Sequence, residues 1–163
     1  MRKAMIVLAV AAGALSVRAA SAQTAATRPV QFGGEVNWAT DTDFGIGARA
    51  VWTALGDAIG LKGLEGVASF DIFFPGNSVN YWEINADVAY PFSIPSAPKI
   101  SPYFGGGLNV AHSSVSGFGG HTDLGVNLLG GGRFNLGKLS AYADGRIELS
   151  GGEHFVATFG IMF

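Results

Sequence analysis

Few residues in this chain carry the chemistry of a catalyst or a ligand. There is no cysteine, which excludes a disulfide scaffold, a Cys-ligated zinc site, an iron–sulfur cluster and a thiol nucleophile. His112-Ser113-Ser114 sets an imidazole two residues from a hydroxyl, the pair that a base-activated serine nucleophile needs. A serine-rich loop contains such a triplet by chance, and no acid is clearly placed to orient the imidazole. Gly105-Gly106-Gly107 and Gly130-Gly131-Gly132 have the glycine density of a phosphate loop but lack the lysine and helix that must follow one. The three histidines, His112, His121 and His154, gather with Asp41, Asp43, Asp123 and Glu153 towards one end of the elements described below. Histidine and carboxylate together suit a divalent cation, but no two of these histidines have a tight ligand spacing. No bound metal and no cofactor are expected.

The larger chemical set is eleven charges: Glu35, Arg49, Glu65, Asp71, Glu83, Asp87, Asp123, Arg133, Asp144, Arg146 and Glu148. The elements that position them are strands. From Val30 onward, stretches of about ten residues alternate apolar with polar and are broken by Gly, Pro, Ser, Asn and Asp. Eight such stretches are predicted, near 31–39, 44–52, 64–74, 80–90, 101–111, 122–134, 139–149 and 154–163. One parity is apolar, as in Phe32, Val36, Trp38 or Phe70, Ile72. All eleven charges fall on the other parity of their strands. Because a period-2 pattern fixes the face of a side chain, five independent agreements within six strands have chance odds of roughly 1 in 32.

Alternation does not say which face meets water. Lysine does. A solvated strand surface carries Lys, whose ammonium is strongly hydrated, yet Lys62, Lys99 and Lys138 all fall in connections. The charges within strands are Arg and carboxylates, suited to bidentate pairing in a confined space. Tyr81, Asn85, Tyr103, Asn109, Asn127 and Tyr142 share their parity. The polar face therefore points into a barrel and the apolar face towards lipid. Aromatic residues then form two bands, Trp38, Phe44, Phe74, Trp82 and Phe155 at one rim, Trp52, Tyr90, Phe104, Phe134 and Phe163 at the other.

Composition agrees with an exported membrane protein. Hydrophobic residues make up 48% and charged residues 13% of 163, too apolar for disorder. Ten basic against twelve acidic residues exclude the basic excess of a nucleic-acid binder. Arg2 and Lys3, an apolar run over 4–15 and Ala20-Ser21-Ala22 describe a signal peptide over 1–22, cleaved after Ala22. A short lead-in over 23–29 would precede a barrel over 30–163.

A signal peptide, eight ten-residue strands and a final strand alternating Phe155, Ala157, Phe159, Ile161 and Phe163 resemble the small bacterial outer-membrane barrels of the OmpA/OmpX type. The resemblance implies an eight-stranded antiparallel up-and-down transmembrane β-barrel, monomeric, in the bacterial outer membrane. It also implies lipid as a partner and recognition of Phe155, Phe159, Ile161 and Phe163 by the outer-membrane assembly machinery. A structural, membrane-integrity or surface-interaction role is its usual implication. His112 and Ser114 are also similar to the His-x-Ser of outer-membrane lipid A deacylases, whose motif continues with Asn-Ala where this chain has Val115-Ser116. That likeness gives a lipid hydrolase as one alternative, beside a narrow ion channel and a secreted soluble barrel.

An eight-stranded barrel is only wide enough for its own side chains, so the eleven charges are expected to fill it as a polar network. Carboxylates outnumber arginines among them by eight to three, so some carboxyls are expected to be protonated or reached by water. The turn Asn135-Leu136-Gly137-Lys138 predicts a hairpin setting Tyr142 opposite Gly131 and Asn127 opposite Arg146, with the tyrosine ring lying over the glycine. Deleting Phe163 should reduce assembly in the outer membrane, read by heat-modifiable gel migration of the membrane fraction; undiminished assembly would contradict the lipid-facing terminal strand. Ile72→Arg is expected to cost about 2–4 kcal/mol if Ile72 lies at the bilayer midplane.

Overall fold

The computed structural model describes residues 29–40, 43–76, 79–115, 117, 119–149 and 154–163. Residues 1–22, expected to be a signal peptide, and all but the last residue of the expected 23–29 lead-in lie outside the described residues. Eight strands follow in order: β1 (Val30–Ala39), β2 (Asp43–Trp52), β3 (Glu65–Phe73), β4 (Val79–Pro91), β5 (Ile100–Val115), β6 (Gly119–Asn135), β7 (Ser140–Glu148) and β8 (His154–Met162). Each pairs antiparallel with the next, and β8 returns to β1 to close the barrel. The seam runs from Gly33 opposite Met162 to Ala39 opposite Val156, and the Phe163 N–H donates to the Phe32 carbonyl at 2.9 Å. Closure leaves no free edge in the barrel wall, which is how a sheet satisfies its backbone where no water can.

The alternation seen in the sequence becomes the two faces of this wall. Phe32, Val36, Trp38, Phe70, Ile84, Leu108, Val126 and Phe159 are exposed on the outside. Glu35, Arg49, Asp71, Glu83, Asn85, Asn127, Arg146 and Glu148 are buried inside. A large apolar exterior around a charged interior inverts the arrangement of a water-soluble barrel and suits hydrocarbon. The rim aromatics lie where the sequence places them. Phe44 stacks on Phe74 at 6.2 Å, at the end bearing the β1–β2 and β3–β4 connections. At the opposite end, which bears the first and last strand residues, Phe104 packs against Tyr90 at 6.2 Å and Phe92 at 6.3 Å. That terminal end also carries α1 (Leu55–Ile59), a single helical turn. Gly60 ends it at φ 78°, a left-handed position open to glycine.

The β6–β7 register differs from the expected one. Gly131 stands opposite Asp144, Tyr142 opposite Arg133 and Asn127 opposite Glu148. The turn closes one residue later than the Asn135–Lys138 turn implied. Leu136 donates to the Leu139 carbonyl at 2.9 Å, and Gly137 takes the first central position at φ 92°. Asn135 Oδ1 accepts the Gly137 N–H at 2.8 Å, holding that turn. Tyr142 still points inward, but the glycine it covers is Gly160 across the β7–β8 pair. A Cβ at Gly160 would collide with the tyrosine ring, and one at Gly131 with Asp144. The ring-over-glycine pairing is thus present on the other side of β7.

Ile72 is not at mid-depth. It is one residue from the end of β3, opposite Trp82 of the aromatic rim. Leu108, between Ala86 and Val126 in the middle of the wall, is the deep position. Leu108→Arg should therefore cost about 2–4 kcal/mol and Ile72→Arg about 0–1 kcal/mol, measured by urea unfolding in lipid vesicles. Equal costs at both sites would contradict the depth assignment.

Candidate functional site

The barrel interior is built from alternate residues of all eight strands, and its charges are organised by two arginines. Arg49 on β2 places Nε 2.7 Å from Glu35 Oε2 on β1. Its Nη1 and Nη2 both point at the carboxylate of Asp144 on β7, across the lumen. Tyr142 completes this node, its ring 4.4 Å from the Arg49 guanidinium and its hydroxyl donating to Glu35 at 2.6 Å. Tyr103 donates to the same Asp144 carboxylate.

Arg146 on β7 forms the second node. Its Nε lies 2.9 Å from Glu148 Oε1, and its Nη2 lies 2.7 Å from Glu83 Oε2 and 3.6 Å from Asp71 Oδ2. Tyr81 donates to the other Glu83 oxygen at 2.8 Å. Neutral donors extend this second node through Asp71. Asp71 accepts from Asn37 at 2.7 Å, Ser69 at 3.0 Å and Asn85 at 3.1 Å. Asn127 donates to Asn85 at 2.9 Å and to Asp87 at 3.2 Å. Thr158 donates to Asn37 at 2.7 Å. Charge-assisted and bidentate bonds of this kind are the strong ones, the more so for side chains buried from bulk solvent.

Nine of the eleven inward charges are buried: Glu35, Arg49, Glu65, Asp71, Glu83, Asp87, Asp144, Arg146 and Glu148. Arg133 and Asp123 are not. Arg133 lies at the terminal mouth, 2.9 Å from Glu65 and 5.4 Å from the Tyr103 ring centroid. Asp123 lies beyond the opposite mouth, its side chain 43% exposed and 2.9 Å from His121 Nε2. It keeps the inward parity of β6, but β6 there has run past the end of β7, so no lumen remains for it to face.

Asn37, Ser69 and Thr158 belong to the network and were not singled out from the sequence. Their inward parity was the available signal; they carry no charge to draw attention to it. The apolar ends of the lumen were missed for a different reason. Val51, Val67, Ala89, Leu129 and Met162 pack with Tyr103 and Tyr142 near the terminal end. Ala39, Phe73, Val156 and Tyr81 pack at the other. All sit on the parity assigned to polar residues. Parity gives the face of a residue, but not its depth along the lumen.

The other candidate residues are scattered. His112 lies on the outer face, its ring stacked on Trp82 at 5.2 Å and its Nδ1 2.8 Å from Thr122 Oγ1. Ser114 is on the same strand face, between Asn80 and Gly120, and no hydrogen bond joins it to His112. Asp41 and Glu153 lie outside the described residues, as do the side chains of Asp43 and His154. Among the described residues no three His, Asp or Glu side chains gather as a metal site. Phe155, Phe159, Ile161 and Phe163 line the exposed face of the terminal strand.

Removing one partner of a buried ion cluster leaves the others uncompensated, at about 3–5 kcal/mol. Arg146→Met should carry that cost in urea unfolding, because Glu83, Glu148 and Asp71 all face the guanidinium. Adding Glu83→Gln and Glu148→Gln should recover much of it. A neutral Arg146→Met would contradict the node.

No protein-family model and no curated protein matches the sequence. Solved structures do match in fold. Neisserial surface protein A is 17% identical with a TM-score of 0.61, over 82% of this chain and 94% of that one. The N-terminal β-barrel domain of Pseudomonas aeruginosa OprF is 18% identical with a TM-score of 0.59, over 82% and 95%. A de novo designed transmembrane β-barrel is 14% identical with a TM-score of 0.54, over 84% and 97%. A designed barrel has the same architecture without a natural role, so the likeness carries fold and not activity. In fold, this chain is similar to the small eight-stranded outer-membrane β-barrels.

Proposed function

We propose that this protein is a structural constituent of the bacterial outer membrane, a closed barrel that anchors itself in lipid and passes nothing through its centre. The observation that carries the reading is the lumen: two arginine-centred clusters lie between an apolar cluster at each end. A solute on this path would have to break buried ion pairs and cross two apolar layers. In this reading the chain is exported, cleaved after Ala22 and inserted as a monomer by the assembly machinery that reads Phe155, Phe159, Ile161 and Phe163. The terminal end, with the start of β1 and the end of β8, then faces the periplasm.

The reading is non-enzymatic, and the outer face supports it. His112 is engaged with Thr122 and Trp82, and Ser114 lacks a base, so we infer no lipid hydrolase there. A soluble ligand-binding barrel does not suit an apolar exterior. Surface contact is a second reading with one observation behind it. β5 and β6 run 16 and 17 residues, and their hairpin extends beyond the end of β7 at the far rim.

The test is electrical. The purified protein in planar bilayers should give a flat baseline under applied voltage. Sustained, protein-dependent conductance steps would overturn the structural reading in favour of a channel.

A further inference from the structure

We propose that the terminal mouth of the barrel is a binding site for a phosphate group or a similar tetrahedral oxyanion. A cavity of about 180 Å³ opens there between the starts of β5 and β7 and the end of β6, lined by Pro98, Lys99, Ser101, Arg133, Asn135 and Ser140. The volume is far beyond the ~10–15 Å³ that one water needs. Five of the six lining residues bring donors: an ammonium, a guanidinium, two hydroxyls and an amide. No carboxylate lines it, in a chain whose acids outnumber its bases.

The backbone fixes this group together. Ser101 stands opposite Arg133, Ser140 stands opposite Asn135, and the Asn135 N–H donates to the Lys99 carbonyl at 2.9 Å. Arg133 is held in place by Glu65, which accepts from Nη2 at 2.9 Å and from Nη1 at 3.4 Å, and by the Tyr103 ring, whose centroid lies 5.4 Å away. That pairing takes one N–H of each Nη and leaves three of the five donors without a partner among the described residues, on a residue that lines the cavity. The ammonium of Lys99 and the hydroxyls of Ser101 and Ser140 have no hydrogen-bond partner among the described residues. Asn135 Oδ1 is committed to the Gly137 N–H, which turns its amide NH₂ free as a donor. Donors approaching from three strands suit the oxygens of a tetrahedral anion better than the single plane of a carboxylate. The wider field agrees. Lys62, Lys99 and Lys138 each sit on a different connection of this end, against Asp57 on α1 and a Glu65 that is paired with Arg133, whereas the described far rim has His121 beside Asp123.

The phosphate could belong to a free anion or to a lipid headgroup reaching over the rim, and the two are separable. The protein is purified into octyl glucoside, which has no phosphate, and titrated with inorganic phosphate. In parallel it is titrated with a short-chain phosphatidic acid added to the same micelles. Backbone amide resonances of Ser101, Asn135 and Ser140 are followed. Saturable shifts with either probe are expected, and the probe that saturates names the source. Lys99→Gln should weaken that binding about tenfold through loss of a charge-assisted contact, and Ser140→Ala should weaken it less. Lys99 is exposed, so its replacement leaves the barrel folded, and Lys62→Gln, on another connection, should leave binding unchanged. No saturation with either probe, or equal losses in Lys99→Gln and Lys62→Gln, would overturn the site.

Discussion

A strand surrounded by hydrocarbon has nothing but another strand to bond its backbone. Everything else in this structure follows from that constraint. The sheet must close, so β8 returns to β1 and the last residue bonds to Phe32. Closure with only eight strands makes a narrow lumen, and alternation sends every second side chain into it. The outward half is then free to be apolar throughout, and the inward half must be compatible with itself at close quarters.

That second demand explains the composition of the interior. Carboxylates exceed arginines there, so an acid without a guanidinium beside it is held by a neutral donor, as Asp87 is by Asn127, and Asp71, at the edge of the Arg146 node, also accepts from Asn37, Ser69 and Asn85. Arginine rather than lysine occupies the nodes because one guanidinium reaches several carboxylates from a fixed plane, as Arg146 does with Glu83 and Glu148. Space is the other limit. Gly47, Gly131 and Gly160 leave room for Asp71, Asp144 and Tyr142 respectively, which is where part of the glycine content goes. Apolar clusters lie at the two ends with the buried charges between them, an arrangement that strengthens each pair and suits the closed barrel proposed above.

The fold was legible because one physical rule writes itself into every strand. Period-2 hydrophobicity, the absence of strand lysine and the terminal aromatic were enough to place the eight strands to within a few residues, except for the longer β5–β6 hairpin. The site was legible in parity but not in depth. Glu35, Arg49 and Arg146 carry charge, and charge on the inward parity points to a partner without saying which one. Asp123 obeyed the parity and still fell outside the lumen, because strand length beyond a neighbour is not a property of its own residues. Val51 and Met162 broke the polar-in expectation for the opposite reason, since apolar residues inside are tolerated where the lumen ends. The β6–β7 register turned on which pair of residues closes the turn around Gly137, a choice that Asn135 makes through one hydrogen bond.

The central claim is that one face of each strand meets lipid while the other meets neither lipid nor water. The chain has no cysteine, so single-cysteine spin labels along β4 test it directly. Labels at Ile84, Ala86 and Val88 should collide freely with dissolved oxygen and little with a water-soluble nickel complex. Labels at Asn85 and Ala89 should collide with neither. Nickel reaching the inward positions would reveal an open, hydrated lumen, and nickel reaching the outward ones would place the barrel in water; either result contradicts the account.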